Sequence, residues 1–147
     1  MKYRTEVIID LPRARVVELA MDSSLVHQWQ KECVSRTLLE GEHAGVGSKT
    51  EVVSKMGRRE IVMIETITAN NLPEGFSETY ETTGVWNGID HRFVELGDSQ
   101  TKWVMDNEFQ CSGLMIKLIT WLMPGAFKKQ SQKYADNFKA WAEAYQG

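Results

Sequence analysis

From residue 32 to residue 111, polar and apolar side chains alternate through a succession of short segments. A period of two is typical of β-strands that bury one face. The segments are separated by turn-forming residues at HAGVG, Gly57, NNLPEG, Gly84 and GDSQ. Because short connections join antiparallel neighbours, this part of the chain is predicted to form an antiparallel meander.

The last segment, TKWVMDNEFQC, shows the alternation most clearly. Successive side chains of a strand point to opposite faces of the sheet. One face of this strand is predicted to carry Thr101, Trp103, Met105, Asn107, Phe109 and Cys111. The other face carries charged and amide groups almost throughout, so one side of the sheet is expected to meet a core and the other to meet water.

The residues before the meander predict one more strand and two short helices. YRTEVIID alternates like a strand, with Tyr3, Thr5, Val7 and Ile9 on one face. Pro12 is suited to the first turn of a helix through PRARVVELAM, which has a partial apolar face. A second helix through SSLVHQWQ is expected to be capped by Ser23 or Ser24.

The C-terminal part changes from strand period to helix period. The large apolar residues fall on one stripe of a helix, at Phe127, Tyr134, Phe138, Trp141 and Tyr145. Charged residues occupy the opposite side. Since proline disfavours helical geometry in the residue before it, the helix is predicted to begin near Pro124 and to run to about Tyr145.

In this order, the elements predict an α+β helix-grip fold, with a curved antiparallel sheet of about seven strands wrapped around the long C-terminal helix. Four stretches are characteristic in their order and spacing: IDLPRARVVELAMDSSLVHQW, GVG, QTKWVMDNEF and PGAFKKQSQKYADNFKAW. Through them the sequence resembles the polyketide cyclase/dehydrase-like branch of the START-related, birch-pollen-allergen-like (SRPBCC) superfamily. These stretches span nearly the whole chain, and residues 1–147 are expected to form a single domain.

The resemblance implies a cavity between the sheet and the long helix that accepts hydrophobic small molecules. The first hypothesis is therefore a binder of a lipid-like or polyketide-like ligand, with no catalysis or only weak catalysis. The side chains expected to line the cavity are Met63, Tyr80, His91, Phe93, Trp103, Met105, Asn107, Trp121, Phe127 and Tyr134. Asn107, Thr101, Tyr80 and His91 would orient the ligand, because apolar pockets carry a few polar groups for that purpose. The first helix lacks the aromatic residue usual in the family, since Val16 and Val17 stand there.

A second hypothesis is a polyketide cyclase or dehydratase that uses His91, with Glu78 and Tyr80 as further acid/base groups. His91 shares strand parity with Ile89 and Phe93, so it is expected to point inward. The simpler interpretation is a core or rim histidine with one backbone hydrogen bond, and this interpretation is favoured. For Glu78, an exposed position at a strand end is favoured over a buried carboxylate.

The apolar stretch from Leu114 to Met123 is too short to span a bilayer, which needs about twenty residues. It is predicted to cover one mouth of the cavity, through Leu114, Leu118, Trp121 and Leu122. The alternative is a membrane-docking lipid carrier, because residues 113 to 147 carry a net charge of +3 within a chain of net charge −3. In that hypothesis Trp121 and the lysines at 117, 128, 129 and 133 meet an anionic lipid surface.

The remaining features exclude classes of function. A net negative chain has no basic footprint for nucleic acid. GEHAGVGSKT lacks the residue order of a phosphate-binding loop. The three histidines and two cysteines have no metal-ligand spacing, so neither a metal nor another cofactor is expected. The N-terminus lacks the apolar core of a signal peptide, and a cytoplasmic location with Cys33 and Cys111 reduced is therefore expected. The oligomeric state is not predicted.

Overall fold

The computed structural model describes residues 1–114, 117 and 125–147. The strands are β1 (Lys2–Ile9), β2 (Cys33–Glu40), β3 (Lys49–Met56), β4 (Arg59–Asn71), β5 (Gly75–Thr82), β6 (Val85–Glu95) and β7 (Thr101–Cys111). The helices are α1 (Arg13–Met21), α2 (Val26–Trp29) and α3 (Ala126–Ala144). The predicted helix-grip arrangement is confirmed.

The described strands form one antiparallel sheet of seven strands in the order β1-β7-β6-β5-β4-β3-β2. Strands β2 to β7 follow one another as the predicted meander, and β1 closes the order by pairing with β7. Tyr3 lies opposite Asn107 and Val7 lies opposite Trp103 in that pair. The predicted parity of both strands is confirmed, since Thr5, Val7 and Ile9 are buried along with Thr101, Trp103, Met105 and Asn107.

Helix α3 begins and ends within about two residues of the predicted bounds. It packs chiefly along β1. Its fully buried residues are Ala135, Phe138 and Ala142. The predicted aromatic stripe therefore flanks a line of small residues and is centred on Phe138. Alanine at such positions lets the helix approach the sheet closely. The sequence pattern was based on large apolar residues alone, so it did not identify these two alanines as buried.

Phe138 closes the core at one end of the inner face. Its ring meets Trp29 edge-on at a centroid distance of 5.1 Å and Trp103 edge-on at 5.0 Å. Edge-to-face contacts of this kind are favoured by the aromatic quadrupole. Val16 of α1 is completely buried in the same cluster, so the branched residue that replaces the usual aromatic fills core space.

The predicted serine cap of α2 is wrong. The residue before the helix is Leu25, and no side chain caps the helix there. The hydroxyl and the backbone N–H of Ser24 both donate to Oδ1 of Asp22 instead. A short aspartate turn thus leads into α2, because an aspartate side chain readily accepts hydrogen bonds from the residue two positions later.

The start of β5 lies unusually close to β6. A Cβ atom added to Gly75 would come within 2.1 Å of the backbone oxygen of His91. Only glycine permits this approach. Gly75 therefore fixes the position of the strand that carries Phe76, Glu78 and Tyr80 relative to the strand that carries His91.

Candidate functional site

The register of the central strands gathers polar side chains on the inner face of the sheet. Phe76 lies opposite His91, Glu78 opposite Ile89, and Tyr80 opposite Asn87. On the other side of β5, Tyr80 lies opposite Glu65. Side chains of directly opposed residues lie close enough to interact. The inner face consequently carries a group of polar side chains where a simple core would be apolar; we call Arg36, Glu65, Glu78, Tyr80 and His91 the polar cluster.

The first part of the polar cluster is a chain of side-chain hydrogen bonds through His91. The indole N–H of Trp103 donates to Nδ1 of His91 at 3.1 Å. Nε2 of His91 lies 2.9 Å from Oε1 of Glu78. Because Nδ1 accepts a hydrogen bond from Trp103, the hydrogen of a neutral imidazole must be on Nε2, which donates a hydrogen bond to Glu78. His91 is thereby held as one defined tautomer.

The second part of the polar cluster is centred on Glu65. The guanidinium of Arg36 and the hydroxyl of Tyr80 both donate to Oε2 of Glu65, the latter at 2.7 Å. Arg36 and Glu65 form a salt bridge whose side chains are 18% and 8% exposed. Such a pair is largely removed from water, so its charges interact more strongly than those of a surface pair.

Burial controls the protonation of this group. Burial, followed by the charge of Glu78, raises the pKa of Glu65, although Arg36 and Tyr80 act in the opposite direction. Burial likewise raises the pKa of the Tyr80 hydroxyl, and the neighbouring carboxylates add to the rise. For Arg36, burial lowers the pKa, but the negative charges around it outweigh burial and hold the pKa above its usual value. Arg36 is therefore charged and Tyr80 is protonated at neutral pH.

An apolar surface adjoins the polar cluster. It consists of inward-facing side chains that remain only partly buried, and we call it the apolar wall: Met63, Ile89, Phe109, Phe127 and Tyr134. Phe109 of β7 stacks on Phe127 of α3 with ring centroids 4.5 Å apart. The apolar wall thus spans the sheet and the first half of the long helix.

The predicted lining residues divide into two sets. Phe93 and Trp103 are 1% and 5% exposed and pack on each other at the closed end of the core. Met105 is buried opposite His91, and Asn107 is buried opposite Ile89. Met63, Phe127 and Tyr134 belong to the apolar wall, while Tyr80 and His91 belong to the polar cluster.

One interpretation of the polar residues is wrong, and another is wrong in part. Glu78, expected at an exposed strand end, is 7% exposed. His91 is buried, as the favoured interpretation expects, but its described hydrogen bonds run to two side chains and not to one backbone group. Sequence reasoning also missed Glu65, whose strand parity with Met63 and Ile67 could have identified it. It missed Arg36 because β2 contains irregularities of register that interrupt its alternation.

The predicted lid lies mostly outside the described residues. Trp121, Leu118 and Leu122 are among those not described, and Leu114 is 87% exposed. No helix among the described residues is long and apolar enough to cross a membrane. Within the described part of the chain, no group of three histidine, cysteine or acidic side chains is arranged to hold a metal ion. Cys33 and Cys111 are free thiols.

Comparison with known families gives a match over almost the whole chain. The family described as "polyketide cyclase / dehydrase and lipid transport" matches residues 1–143. The resemblance inferred from the sequence is therefore confirmed. No curated protein sequence matches the chain.

Solved structures share the fold at low sequence identity. The Zhui aromatase/cyclase from Streptomyces sp. R1128 has a TM-score of 0.80 at 12% identity, with 97% of this chain and 93% of that chain covered. A START superfamily protein from Mycobacterium smegmatis has a TM-score of 0.77 at 14% identity, with 97% of each chain covered. A protein from Thermus thermophilus has a TM-score of 0.78 at 16% identity over 100% of both chains. At these identities the likeness shows the fold alone.

Proposed function

We propose that this chain, which belongs to the polyketide cyclase/dehydrase and lipid transport family, binds a hydrophobic small molecule between its sheet and helix α3. The ligand lies against the apolar wall with one end at the polar cluster. A mostly apolar pocket with a few polar groups is the usual composition of a small-molecule site. Both parts are present on one inner face of this protein.

The observation that carries the proposal is the incomplete burial of the apolar wall. Met63 lies on β4 and Ile89 on β6, both within the sheet and not at its edges. Each faces inward yet remains partly accessible. Protein cores are close-packed, so an inward side chain that keeps accessible surface borders open space. At the closed end, by contrast, Phe93 and Phe138 are 1% and 0% exposed.

Binding without catalysis by His91 is favoured by the hydrogen bonds of that residue. One ring nitrogen accepts from Trp103 and the other donates to Glu78. A general acid or base must have a nitrogen within reach of the substrate. Neither nitrogen of His91 is free for a substrate in this arrangement, so a cyclase or dehydratase reaction through His91 requires one of the two bonds to break.

A fluorescent probe tests the proposal after native mass spectrometry has identified, and solvent extraction has removed, any co-purified ligand. The uncharged probe N-phenyl-1-naphthylamine should bind saturably and gain fluorescence. Met63→Trp should weaken its affinity on the order of tenfold, because the larger ring occupies ligand space. Val62→Trp is the matched control, since Val62 is the next residue, points outward and is 50% exposed.

The expected control result is an affinity equal to that of the wild type, with thermal unfolding used to confirm that both variants are folded. A wild-type protein that shows no saturable binding after extraction would contradict the proposal. Equal affinity in the Met63→Trp variant would move the ligand away from the apolar wall.

A further inference from the structure

We infer that the ligand is an uncharged molecule that presents a hydroxyl group to the polar cluster, and that the site discriminates against carboxylates and phosphates. This inference rests on the proposed function and specifies the chemistry of its ligand. Its basis is the number of hydrogen-bond donors and acceptors left open around Glu65 and Glu78, together with the balance of charge there.

The two carboxylates have more acceptor capacity than their neighbours use. Arg36 and Tyr80 both donate to Oε2 of Glu65, and His91 donates to Oε1 of Glu78. No described residue donates to the second oxygen of either carboxylate. The two side chains are 8% and 9% exposed, so they are nine-tenths buried without being completely sealed. A buried carboxylate oxygen is stabilised by each further donor it receives.

An amide on the same inner face offers the complementary group. Asn107 is 5% exposed on the same inner face. Its Oδ1 accepts a long hydrogen bond of 3.5 Å from Asn87, while its Nδ2 has no hydrogen-bond partner among the described residues. Nδ2 is therefore an open donor on the same inner face, separated from Glu78 by Ile89 of the intervening strand. A hydroxyl group can donate to a carboxylate oxygen or accept from this amide, whereas a carboxylate can only accept and an ammonium group can only donate.

The charge balance excludes an anionic group. The polar cluster contains one guanidinium against two carboxylates. His91 adds no positive charge while its Nδ1 accepts from Trp103. A ligand carboxylate or phosphate would thus enter a largely dehydrated region where the guanidinium of the polar cluster is already paired with Glu65, and repulsion from the glutamates there is weakly screened.

A cationic ligand fits the charge but not the surroundings. An ammonium group pays a large desolvation cost on leaving water. An ammonium group also cannot accept a hydrogen bond from the open amide N–H of Asn107. The apolar wall beside the cluster adds no further acceptor side chain except the hydroxyl of Tyr134. A hydroxyl therefore meets the open groups at lower cost than an ammonium group does.

Four probes with one apolar body separate these possibilities: 2-naphthalenemethanol, 2-methylnaphthalene, 2-naphthoate and 2-naphthalenemethylamine. Their dissociation constants for the wild-type protein are measured by isothermal titration at neutral pH. 2-naphthalenemethanol should bind on the order of tenfold more tightly than 2-methylnaphthalene, because it gains a hydrogen bond to a charged acceptor. 2-naphthoate should bind most weakly.

The ranking in the wild type decides the inference without any variant. Equal affinity for the alcohol and the hydrocarbon, or tightest binding of the carboxylate or the amine, would overturn the hydroxyl inference and leave the proposed function standing. Binding of none of the four probes would overturn the proposed function together with it.

A pair of glutamate variants then locates the effect. Glu78→Gln should narrow the affinity difference between the alcohol and 2-naphthoate by about tenfold, since one negative charge is removed. Glu81→Gln is the matched control because Glu81 lies on the same strand and is exposed. The control should keep the wild-type ranking; an equal narrowing in both variants would show that overall charge, and not the polar cluster, sets the selectivity.

Discussion

The indole of Trp103 and the imidazole of His91 are joined by a hydrogen bond in which the tryptophan is necessarily the donor. The indole nitrogen has a hydrogen and no lone pair available to accept. This contact requires Nδ1 of His91 to be unprotonated, and the carboxylate of Glu78 selects the same tautomer by accepting from Nε2. A residue of the closed core thus helps to determine the hydrogen-bonding state of the polar cluster.

The tautomer of His91 is directly observable. In ¹⁵N NMR spectra at neutral pH, His91 should show the neutral form with its hydrogen on Nε2. Trp103→Phe alone leaves Glu78 accepting from Nε2, so the form with hydrogen on Nδ1 should become populated only when this change is combined with Glu78→Gln, whose amide can donate to Nε2. Trp141→Phe is a suitable control, because the Trp141 indole N–H donates a hydrogen bond to Gln28 and not to His91. A wild-type spectrum dominated by the Nδ1–H form would contradict the assignment.

Breaking the buried salt bridge between Arg36 and Glu65 should lower the free energy of unfolding far more than breaking the exposed salt bridge between Arg4 and Asp106. Arg36→Met leaves a buried carboxylate without its cation and should lower the free energy of unfolding by about 3 kcal/mol. Arg4→Met is the control. The Arg4–Asp106 pair has good geometry, but its side chains are 52% and 38% exposed, so little change is expected. Urea unfolding gives the free energy of unfolding of both variants. Equal losses in Arg36→Met and Arg4→Met would contradict the expectation that burial makes the Arg36–Glu65 pair the costlier one to break.

The raised pKa of Glu65 predicts a pH dependence of stability. The folded state holds the proton of Glu65 more tightly than the unfolded chain does, where the pKa has its usual value of 4.5. The stability contributed by this difference is complete below pH 4.5 and is lost as the pH rises through the folded-state pKa. Glu65→Gln should therefore show a smaller decline in unfolding free energy from pH 4.5 upward.

Urea unfolding at a series of pH values provides the measurement for Glu65. Glu81→Gln again serves as the control, since an exposed glutamate should leave the pH slope as in the wild type. If Glu65→Gln and the wild type decline in parallel, another group is responsible for the slope.

Gly75 should tolerate no side chain. Gly75→Ala places a methyl group against the backbone oxygen of His91 and should destabilise the protein by about 1 to 3 kcal/mol. Gly125→Ala is the comparison, because an added Cβ there meets nothing within 4 Å. Thermal unfolding should show a lower midpoint for the first variant only. Equal midpoints for the two would mean that β5 and β6 can separate at this point without cost.

The fold follows from the sequence because its evidence is local and repeated. The alternation in β7 and the helical spacing from Phe127 to Tyr145 each predict an element and the face that it buries. The family resemblance then predicts how the sheet and the long helix pack against each other. Ala135 and Ala142 lie at the centre of the contact and carried no signal, because alanine is compatible with buried and exposed positions alike.

The site was less predictable because its contacts depend on register. Strand parity placed His91 on the inner face, but it does not show which residue lies beside it on the next strand. Glu78 meets His91 only through the alignment of β5 with β6, and Arg36 reaches Glu65 from β2 across the line of β3. A one-residue change in register would send each of these side chains to the opposite face.

The pairing of β1 with β7 also delays completion of the sheet during translation. β1 ends at Ile9 and its partner begins at Thr101, so β1 is made well before the strand that it pairs with. At about 5 to 20 residues per second, some 5 to 20 seconds of translation separate the two strands. Helix α3, which packs along β1, is synthesised later still. A nascent chain halted before Thr101 would hold an unpaired N-terminal strand with its hydrophobic face uncovered, which is the kind of segment that chaperones bind.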